Sequence, residues 1–266
     1  MTLQDPRPTV VVTGAAAGIG RTVAEAFAGT EAPGGTAATV FAIDRNAAGL
    51  DSLAAASPTV VPVCADLTDP PFPARMAGLV ADAGGRVDVL AHVAGRYRAG
   101  TLSGEGEGEG EGEGESGGAA ALAELFAVHV TAPSLLTQAL LPALERAAGA
   151  VVMVSSTFGH RASRTAHGYA ATKAAVESLT RSWAIELAPR GIRVNAVAPG
   201  PTETGILAAS GMDRDAVTAQ RAAERERVPL RRLGRPDEIA GWIVALARPG
   251  WTTGQVVSVD GGLSHA

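Results

Sequence analysis

Two side chains that could exchange a proton with a substrate, Tyr169 and Lys173, stand four residues apart in the run Tyr-Ala-Ala-Thr-Lys. On a helix this spacing places both side chains on one face, one turn apart. A phenol has a pKa near ~10 in water, and a cation one turn away favours the phenolate and lowers that pKa. The pair therefore predicts Tyr169 as an acid or base for an alcohol and carbonyl pair, although the same spacing also occurs on solvated helices.

A glycine-rich turn lies early in the sequence. The β-branched run at residues 9–13 predicts a buried strand, and it leads into Gly-Ala-Ala-Ala-Gly-Ile-Gly at residues 14–20. A helical pattern follows, so strand, glycine turn and helix start occur in the order that a nucleotide-phosphate loop requires. Free N–H groups and the positive end of the helix dipole would face the anion. A glycine-rich connection in another kind of α/β protein is the alternative.

Together these motifs resemble the short-chain dehydrogenase/reductase family. Ser156 ends a predicted strand thirteen residues before Tyr169, which is the offset of the family's catalytic serine. Further matches are Cys-Ala-Asp-Leu at 64–67, Ala-Gly at 94–95, Arg-Val-Asn-Ala-Val-Ala-Pro-Gly at 193–200 and Gly-Gln-Val-Val-Ser-Val-Asp-Gly-Gly at 254–262. The resemblance extends from about residue 9 to residue 263.

The resemblance implies hydride transfer between a nicotinamide cofactor and a secondary alcohol or ketone. Tyr169 would exchange the proton, Ser156 would hydrogen-bond the substrate oxygen, and Lys173 would bind the nicotinamide ribose and lower the pKa of Tyr169. Besides Tyr169 and Lys173, the implied cofactor-binding residues are Gly14, Gly18, Ile19, Gly20, Asp44, Asp66, Leu67, Ala94, Gly95, Pro199, Gly200, Thr202 and Thr204. The two threonines could equally cap a helix that begins near residue 203. No metal site is expected.

The choice of cofactor depends on the end of the second predicted strand. Asp44 falls at the family's ribose-reading position, where a carboxylate accepts hydrogen bonds from the ribose hydroxyls of NAD and repels the 2′-phosphate of NADP. Ala17 stands where NADP-preferring relatives often have a basic residue, whereas Arg45 could hold a phosphate. NAD is the expected cofactor, and NADP is the less favoured alternative.

One catalytic position departs from the family pattern. The family's fourth catalytic residue is an asparagine within Val-Asn-x-x-Gly, and here Val-His-Val-Thr-Ala places His129 at that position. An imidazole could continue the proton relay from the lysine and would titrate near neutrality. It could equally be a neutral core histidine with satisfied hydrogen bonds. A second departure, His92-Val93 in place of Asn-Asn, is expected to affect packing around the adenosine.

The substrate is less well defined by the sequence. Arg98 and His160 resemble positions of the 2,3-dihydro-2,3-dihydroxybenzoate dehydrogenase branch, and Arg164 lies one position from that pattern. Arginines near the mouth of the site would suit a carboxylate-bearing cyclic alcohol through bidentate pairing. Two alternatives stay open. One is reduction of carrier-bound or polyketide-like carbonyls, and the other is a nucleotide-binding sensor, scaffold or cyclase-like protein without net redox turnover.

Composition excludes several other classes of protein. The 266 residues, 46% of them hydrophobic, suffice for one large core. Six of the 27 acids lie in a Gly-Glu repeat at 104–115, and removing them changes the net charge from −5 to +1, which leaves no basic field for nucleic acid. The only cysteine, Cys64, allows no internal disulfide and is expected to be buried in a strand. A cytoplasmic protein without membrane contact is expected, because we find neither a signal segment nor an apolar stretch near the ~20 residues that span a bilayer.

Strands and helices alternate along the chain. Strands are predicted at 9–13, 38–43, 59–64, 87–92, 150–155, 192–197 and 255–259, and helices at 18–28, 47–56, 71–83, 120–147, 168–188, 203–224 and 236–247. This alternation predicts an α/β fold in which a single doubly wound, parallel, Rossmann-type sheet of about seven strands is flanked by helices. The prediction is one domain over 1–266, with a flexible Gly-Glu loop at 104–117 and a substrate lid at 203–230.

Association with further copies of the chain is also expected. The helices predicted at 120–147 and 168–188 are rich in alanine and leucine beyond what one face of a sheet covers. Together with the small-molecule substrate, the expected partners are therefore other subunits of a homo-oligomer, a tetramer or a dimer.

Overall fold

The β-branched runs of the sequence form one parallel sheet. The computed structural model describes residues 7–29, 35, 37–102 and 118–266, so the predicted Gly-Glu loop at 104–117 lies outside the described residues. The strands are β1 (Thr9–Thr13), β2 (Thr39–Asp44), β3 (Val60–Cys64), β4 (Val89–His92), β5 (Ala150–Val154), β6 (Arg193–Pro199) and β7 (Val256–Val259). Their order is β3-β2-β1-β4-β5-β6-β7, and every neighbouring pair is parallel. The strand order reverses between β1 and β4, where doubly wound folds bind their ligands, and the predicted fold class is confirmed.

Helices cover both faces of this sheet. They are α1 (Gly18–Ala28), α2 (Ala47–Ala56), α3 (Phe72–Asp82), α4 (Ala119–Phe126), α5 (Ala132–Ala147), α6 (His167–Leu187), α7 (Ile206–Ala209), α8 (Arg214–Arg227) and α9 (Pro236–Ala247). Apolar residues of α1, α2 and α9, such as Phe27 and Ile243, pack on one face. Residues of α3, α5 and α6, such as Met76 and Leu140, pack on the other. Because both faces are covered, the carboxyl ends of the strands are held on a rigid framework.

Two of the predicted helices are interrupted. The helix predicted at 203–224 is divided into α7 and α8, because Gly211 takes φ of +92° and Asp213 caps a new helix by accepting hydrogen bonds from the N–H groups of Asp215 and Ala216. The helix predicted at 120–147 contains a π-helical turn at Ala127–Thr131, between α4 and α5. This turn carries His129, and such turns are frequent at functional sites.

The expectation that Cys64 is buried is wrong. Cys64 is exposed, because it ends β3, the strand at the edge of the sheet.

The expectation that no apolar stretch approaches the length needed to span a bilayer is also wrong. The helical stretch Ala119–Ala147 is long and apolar enough to cross a membrane by length and composition alone. Core helices pass the same test, and Leu136, Leu140 and Leu144 of this stretch pack on the sheet.

Candidate active site

Helix α6 carries Tyr169 and Lys173 on the face that meets the sheet. Both side chains are buried, and Nζ of Lys173 lies 5.5 Å from the centre of the Tyr169 ring. Nζ also donates a hydrogen bond to the carbonyl oxygen of Val154 at 2.8 Å. Val154 is the last residue of β5, so the lysine is fixed against the carboxyl end of a central strand.

Burial dominates the acid–base properties of this pair. It raises the pKa of Tyr169 to about 12, although a hydrogen bond with Ser156 lowers the value and Tyr97 raises it further. Burial also lowers the pKa of Lys173 to about 7. The expected lowering of the tyrosine pKa by the lysine is therefore wrong for the protein alone. Loss of water from around the phenolate dominates, and Lys173, with a pKa of about 7, is a neutral amine at the pH where the phenol would ionise.

Ser156 is the second residue after β5 and begins a tight turn. Its Oγ accepts a hydrogen bond from the N–H of Phe158 at 3.2 Å, and the N–H of Gly159 donates to its carbonyl at 2.8 Å. The three residues after Ser156 form a short 3-10 helix, Thr157–Gly159. The turn leaves Ser156 buried, and Ser156 and Tyr169 line the same cavity.

His129 uses both ring nitrogens within the protein. Nε2 accepts a hydrogen bond from the N–H of Arg96 at 3.0 Å, and Nδ1 lies 2.8 Å from Oγ1 of Thr172. That hydroxyl donates to the carbonyl of Tyr169 at 2.7 Å, so Nδ1 of the ring carries the proton. Burial, and secondarily the charge of Lys173, holds the pKa of His129 well below its usual range. Of the two interpretations of His129, this geometry favours the neutral core histidine.

The glycine turn allows close packing between β1, β4 and the start of α1. Gly14 has φ of +70°, and a Cβ there would lie 2.7 Å from the Cα of Ala94. A Cβ on Gly20 would lie 2.1 Å from the carbonyl oxygen of Gly14. Since no side chain caps α1, its first N–H groups are open to the neighbouring cavity, and they fit the diphosphate of a dinucleotide.

Two adjoining cavities, of about 420 and about 440 Å³, lie along the carboxyl ends of the strands. Gly14, Asp44, Ala94, Gly95 and Tyr97 border both. The first cavity also contains the expected residues Asp66 and Leu67, and the second contains Gly18, Ile19, Gly20, Ser156, Tyr169, Lys173, Pro199, Gly200, Thr202 and Thr204. The structure thus brings the expected cofactor residues to one continuous cleft.

Two carboxylates, at the end of β2 and just after β3, line the first cavity. Asp44 accepts hydrogen bonds from the N–H groups of Ala16 at 3.1 Å and Asn46 at 3.0 Å, which ties the glycine turn to the end of β2. Asp66 accepts from the hydroxyl of Thr68 at 2.6 Å and from its N–H at 2.8 Å. These bonds lower the pKa of Asp66.

The two threonines after β6 have small roles in local structure. Thr202 Oγ1 donates to the carbonyl of Gly200 at 2.9 Å, and Thr204 Oγ1 accepts from the N–H of Ile206 at a long 3.5 Å. The helix that Thr204 precedes begins at Ile206, three residues later than expected. Both side chains lie along the cleft, so the cofactor-binding interpretation stays a prediction.

The three residues predicted to bind substrate do not converge beside Tyr169. Arg98 pairs with Glu124 at 2.9 Å, His160 lies 2.8 Å from Glu177, and Arg164 is exposed. None of the three borders the cavity that contains Tyr169. These three side chains therefore form no common binding site for a substrate carboxylate beside Tyr169.

Other side chains surround Tyr169 instead. The ring of Tyr97 meets it edge to face, with 5.3 Å between centroids, and Phe158 lies at 6.3 Å. Further polar residues of the same cavity are Arg161, from the loop whose arginines were expected near the mouth, and Gln220, Glu224 and Arg227 of α8. Glu224 accepts a hydrogen bond from Gln220 at 2.9 Å, and burial raises its pKa. Helix α8 belongs to the segment 203–230 that the sequence predicts to cover the substrate, but nothing in the sequence singles out these three side chains.

Comparison with known proteins agrees with this architecture. The family model described as enoyl-(acyl carrier protein) reductase matches residues 14–264. A 3-oxoacyl-[acyl-carrier-protein] reductase of Thermotoga maritima is 34% identical over 260 residues, covering 95% of this chain and 96% of the relative.

Solved structures of the same fold have been determined with nicotinamide cofactors. One is a putative NAD(P)-dependent gluconate 5-dehydrogenase of Beutenbergia cavernae with NADP at low occupancy, with a TM-score of 0.80, 31% identity and coverage of 97% of both chains. Another is a 3-ketoacyl-(acyl-carrier-protein) reductase of Brucella melitensis with NADH, with a TM-score of 0.81, 28% identity and coverage of 97% of this chain and 98% of that one.

The chain belongs to the short-chain dehydrogenase/reductase family. It is an NAD(P)-dependent oxidoreductase.

Proposed function

We propose that the protein uses NAD to interconvert a secondary alcohol and a ketone, with Tyr169 as the acid and base. The observation that carries this proposal is that Ser156, Tyr169 and Lys173 line one cavity, which the glycine turn also borders. In such a cavity a substrate oxygen would meet two hydroxyl groups, and a cofactor on the glycine turn would lie beside it. The nicotinamide, when bound, supplies or accepts the hydride.

The protein residues account for the proton. With a pKa of about 12, Tyr169 holds its proton at neutral pH and is ready to donate it to a carbonyl oxygen. Ser156 would donate a hydrogen bond to the same oxygen. In the oxidation direction Tyr169 must take a proton from the alcohol, and a charged Lys173 beside it would favour the required phenolate. Lys173 is also proposed to bind the nicotinamide ribose.

NAD is proposed as the preferred cofactor because of Asp44. Its carboxylate lies at the boundary between the two cavities, where a 2′-phosphate would meet a negative charge. Arg45 lines the same region and is the one feature that favours NADP. The two cofactor-bearing relatives represent both choices, so the preference depends on this pair of residues.

The substrate cavity supports a neutral or mixed-charge substrate better than a carboxylate-bearing one. Arg161 is held by the carbonyl of Leu263, whereas Glu224 forms no ion pair within 4 Å among the described residues. A carboxylate-bearing cyclic alcohol would have to bind beside that acid. Reduction of carrier-bound ketones is the second candidate, and the identity to an acyl-carrier-protein reductase over nearly the whole chain favours it.

Assembly into a homo-oligomer is proposed from the exposed apolar residues on the outer helices. Ile185 of α6 is 79% exposed, and Leu122 of α4 and Leu135 of α5 are partly exposed on neighbouring helices. A surface of this kind is suited to a second copy. Light scattering should give the mass of a dimer or tetramer, and a monomeric mass would contradict the proposal. A cytoplasmic location also stays a prediction.

The function is tested by mixing the protein with NAD or NADP and a panel of secondary alcohols, and with NADH or NADPH and the matching ketones. The panel should include simple, hydroxylated, carboxylated and thioester-linked β-keto compounds. Absorbance of the reduced cofactor should change with at least one pair. Cofactor binding without turnover across the panel would contradict the proposal.

A further inference from the structure

Glu177 is a buried acidic residue that the proposed chemistry does not use. It is 5% exposed and stands on α6 four residues after Lys173 and eight after Tyr169. This spacing places all three side chains on one face of the helix. Burying a carboxyl group is unfavourable unless hydrogen bonds compensate, so its partners indicate its role.

One oxygen of this carboxyl group binds both ends of the turn that carries Ser156. Ser155, before the turn, has Oγ 3.1 Å from Oε1 of Glu177 and 3.2 Å from the carbonyl oxygen of Lys173, so its hydroxyl hydrogen is shared between two acceptors of α6. His160, after the turn, has Nδ1 2.8 Å from the same oxygen. The turn is thereby attached at both ends to the helix that carries Tyr169.

The turn also lies directly on the carboxyl group. A Cβ at Gly159 would be 2.4 Å from Oε1 of Glu177 and 2.6 Å from Oγ of Ser155. Contacts this close leave no room for a side chain, so position 159 needs glycine for reasons of space. The backbone of the turn at Gly159 therefore packs directly against the carboxyl group of Glu177.

The same set of contacts continues to the C-terminal part of the chain. Nε2 of His160 lies 3.2 Å from Oγ of Ser264, and Arg161 donates to the carbonyl of Leu263. Leu263 borders the cavity beside Tyr169. A displacement of His160 would therefore also move the serine turn and the C-terminal residues that line one side of the cavity.

We propose that Glu177 is a positioning residue that holds the turn of Ser156 in place beside Tyr169. Tyr169 and Glu177 belong to one rigid helix, so the carboxyl group sets where the serine turn stands relative to the phenol. Among the residues that the structure describes, the second oxygen, Oε2, is paired with the exposed Arg181 alone, at 3.8 Å, a contact that contributes little. The link from Glu177 to catalysis rests on the proposed function, whereas its effect on the position of the turn does not.

Kinetics of matched variants test the catalytic part of this inference. Glu177→Ala should lower kcat by ~10–100-fold, because small displacements of an oxygen-binding group have effects of that size, while the Kd of NADH stays within about twofold. Glu177→Gln should restore much of the loss, since the amide oxygen still accepts hydrogen bonds. Ser155→Ala should lower kcat, and its effect should be non-additive with that of Glu177→Gln.

Thr180→Val is the matched control. Thr180 is buried on the same helix and its hydroxyl donates to the carbonyl of Val176 within that helix, so kcat should stay at the wild-type value even if the melting temperature falls. If Glu177→Ala and Ser155→Ala also keep the wild-type kcat while losing stability, Glu177 is structural only and the inference is overturned.

Hydrogen–deuterium exchange separates this inference from the proposed function. In Glu177→Ala, peptides covering residues 156–161 and 263–266 should exchange faster than in the wild type, Glu177→Gln should bring them back towards the wild-type rate, and Thr180→Val should leave them unchanged. Unchanged exchange in Glu177→Ala and Ser155→Ala would overturn the positioning role whether or not a substrate is known. An inactive wild-type protein whose exchange responds as expected would contradict only the proposed function.

Discussion

Lys173 donates a hydrogen bond from Nζ to the carbonyl oxygen of Val154, at 2.8 Å. The carbonyl stabilises the lysine whether or not it carries a charge, and burial lowers its pKa to about 7. Near neutrality the side chain therefore changes between an ammonium and an amine. Its protonation state can be followed through both stability and rate.

Stability should rise with pH because of Lys173. Its folded pKa of about 7 lies below the ordinary 10.5, so between these values the unfolded chain binds more protons than the folded chain. The free energy of unfolding contributed by this residue should therefore increase from about pH 7 towards pH 10. Urea unfolding of wild type and Lys173→Met at pH 7 and pH 9.5 measures the difference. A wild-type advantage that is constant or falls with pH would contradict the shifted pKa.

Loss of the Tyr169 hydroxyl should remove most activity. Tyr169→Phe should reduce kcat by ~10²–10⁴-fold, the usual contribution of a positioned acid or base, without weakening NADH binding. Tyr97→Phe is the natural control, since Tyr97 is the only other tyrosine and borders the same cavity. Equal losses in the two variants would mean that Tyr169 has no special role in proton transfer.

Cofactor preference should follow the charge of Asp44. Asp44→Asn keeps hydrogen-bond acceptance for Ala16 but removes the negative charge, so the ratio of kcat/KM for NADP over NAD should rise by roughly tenfold, equivalent to ~1.4 kcal/mol of relieved repulsion. Arg45→Ala should move the ratio in the opposite direction. An unchanged ratio in Asp44→Asn would remove the NAD assignment.

The interpretation of His129 as a core residue can be tested against a proton relay. His129→Asn should lower stability by ~1–3 kcal/mol, since the N–H of Arg96 or the hydroxyl of Thr172 loses its partner, and the pH–rate profile should keep its shape. His92→Asn is a suitable comparison, because His92 is also buried and lies 2.9 Å from Thr137 Oγ1. A profile that loses an ionisation only in His129→Asn would establish the relay.

Glu224 should discriminate against anionic substrates. Glu224→Gln keeps the size of the side chain and removes its charge, so kcat/KM should rise several-fold for carboxylated members of the substrate panel relative to neutral ones. Glu226→Gln, an exposed change on the same helix, should leave the ratio unchanged. A fall for carboxylated compounds in Glu224→Gln would show that this acid does not act by charge repulsion.

The strands and the residues Ser156, Tyr169 and Lys173 could be predicted because the sequence patterns that identify them lie within short segments of the chain. β-branched runs end close to where the strands end, and the spacing of Ser156, Tyr169 and Lys173 reflects one strand end and one helix face. The break in the helix predicted at 203–224 was missed because the cap formed by Asp213 competes with an otherwise helical pattern.

Properties that depend on distant partners could not be predicted in this way. Arg98 and His160 were assigned to the substrate because of their positions in the sequence, but Glu124 and Glu177 bind them from other helices. The pKa of Tyr169 was expected to fall because spacing reveals a nearby cation but not the depth of burial. Burial decides the direction of the shift.

The exposure of Cys64 has a practical use. It is the only thiol of the chain, and the strand that it ends lies beside the strand of Asp44. A maleimide dye would therefore attach at one known point near the proposed adenosine region, with no engineered cysteine. The fluorescence of the labelled protein should report dinucleotide binding directly, even before any substrate has been found.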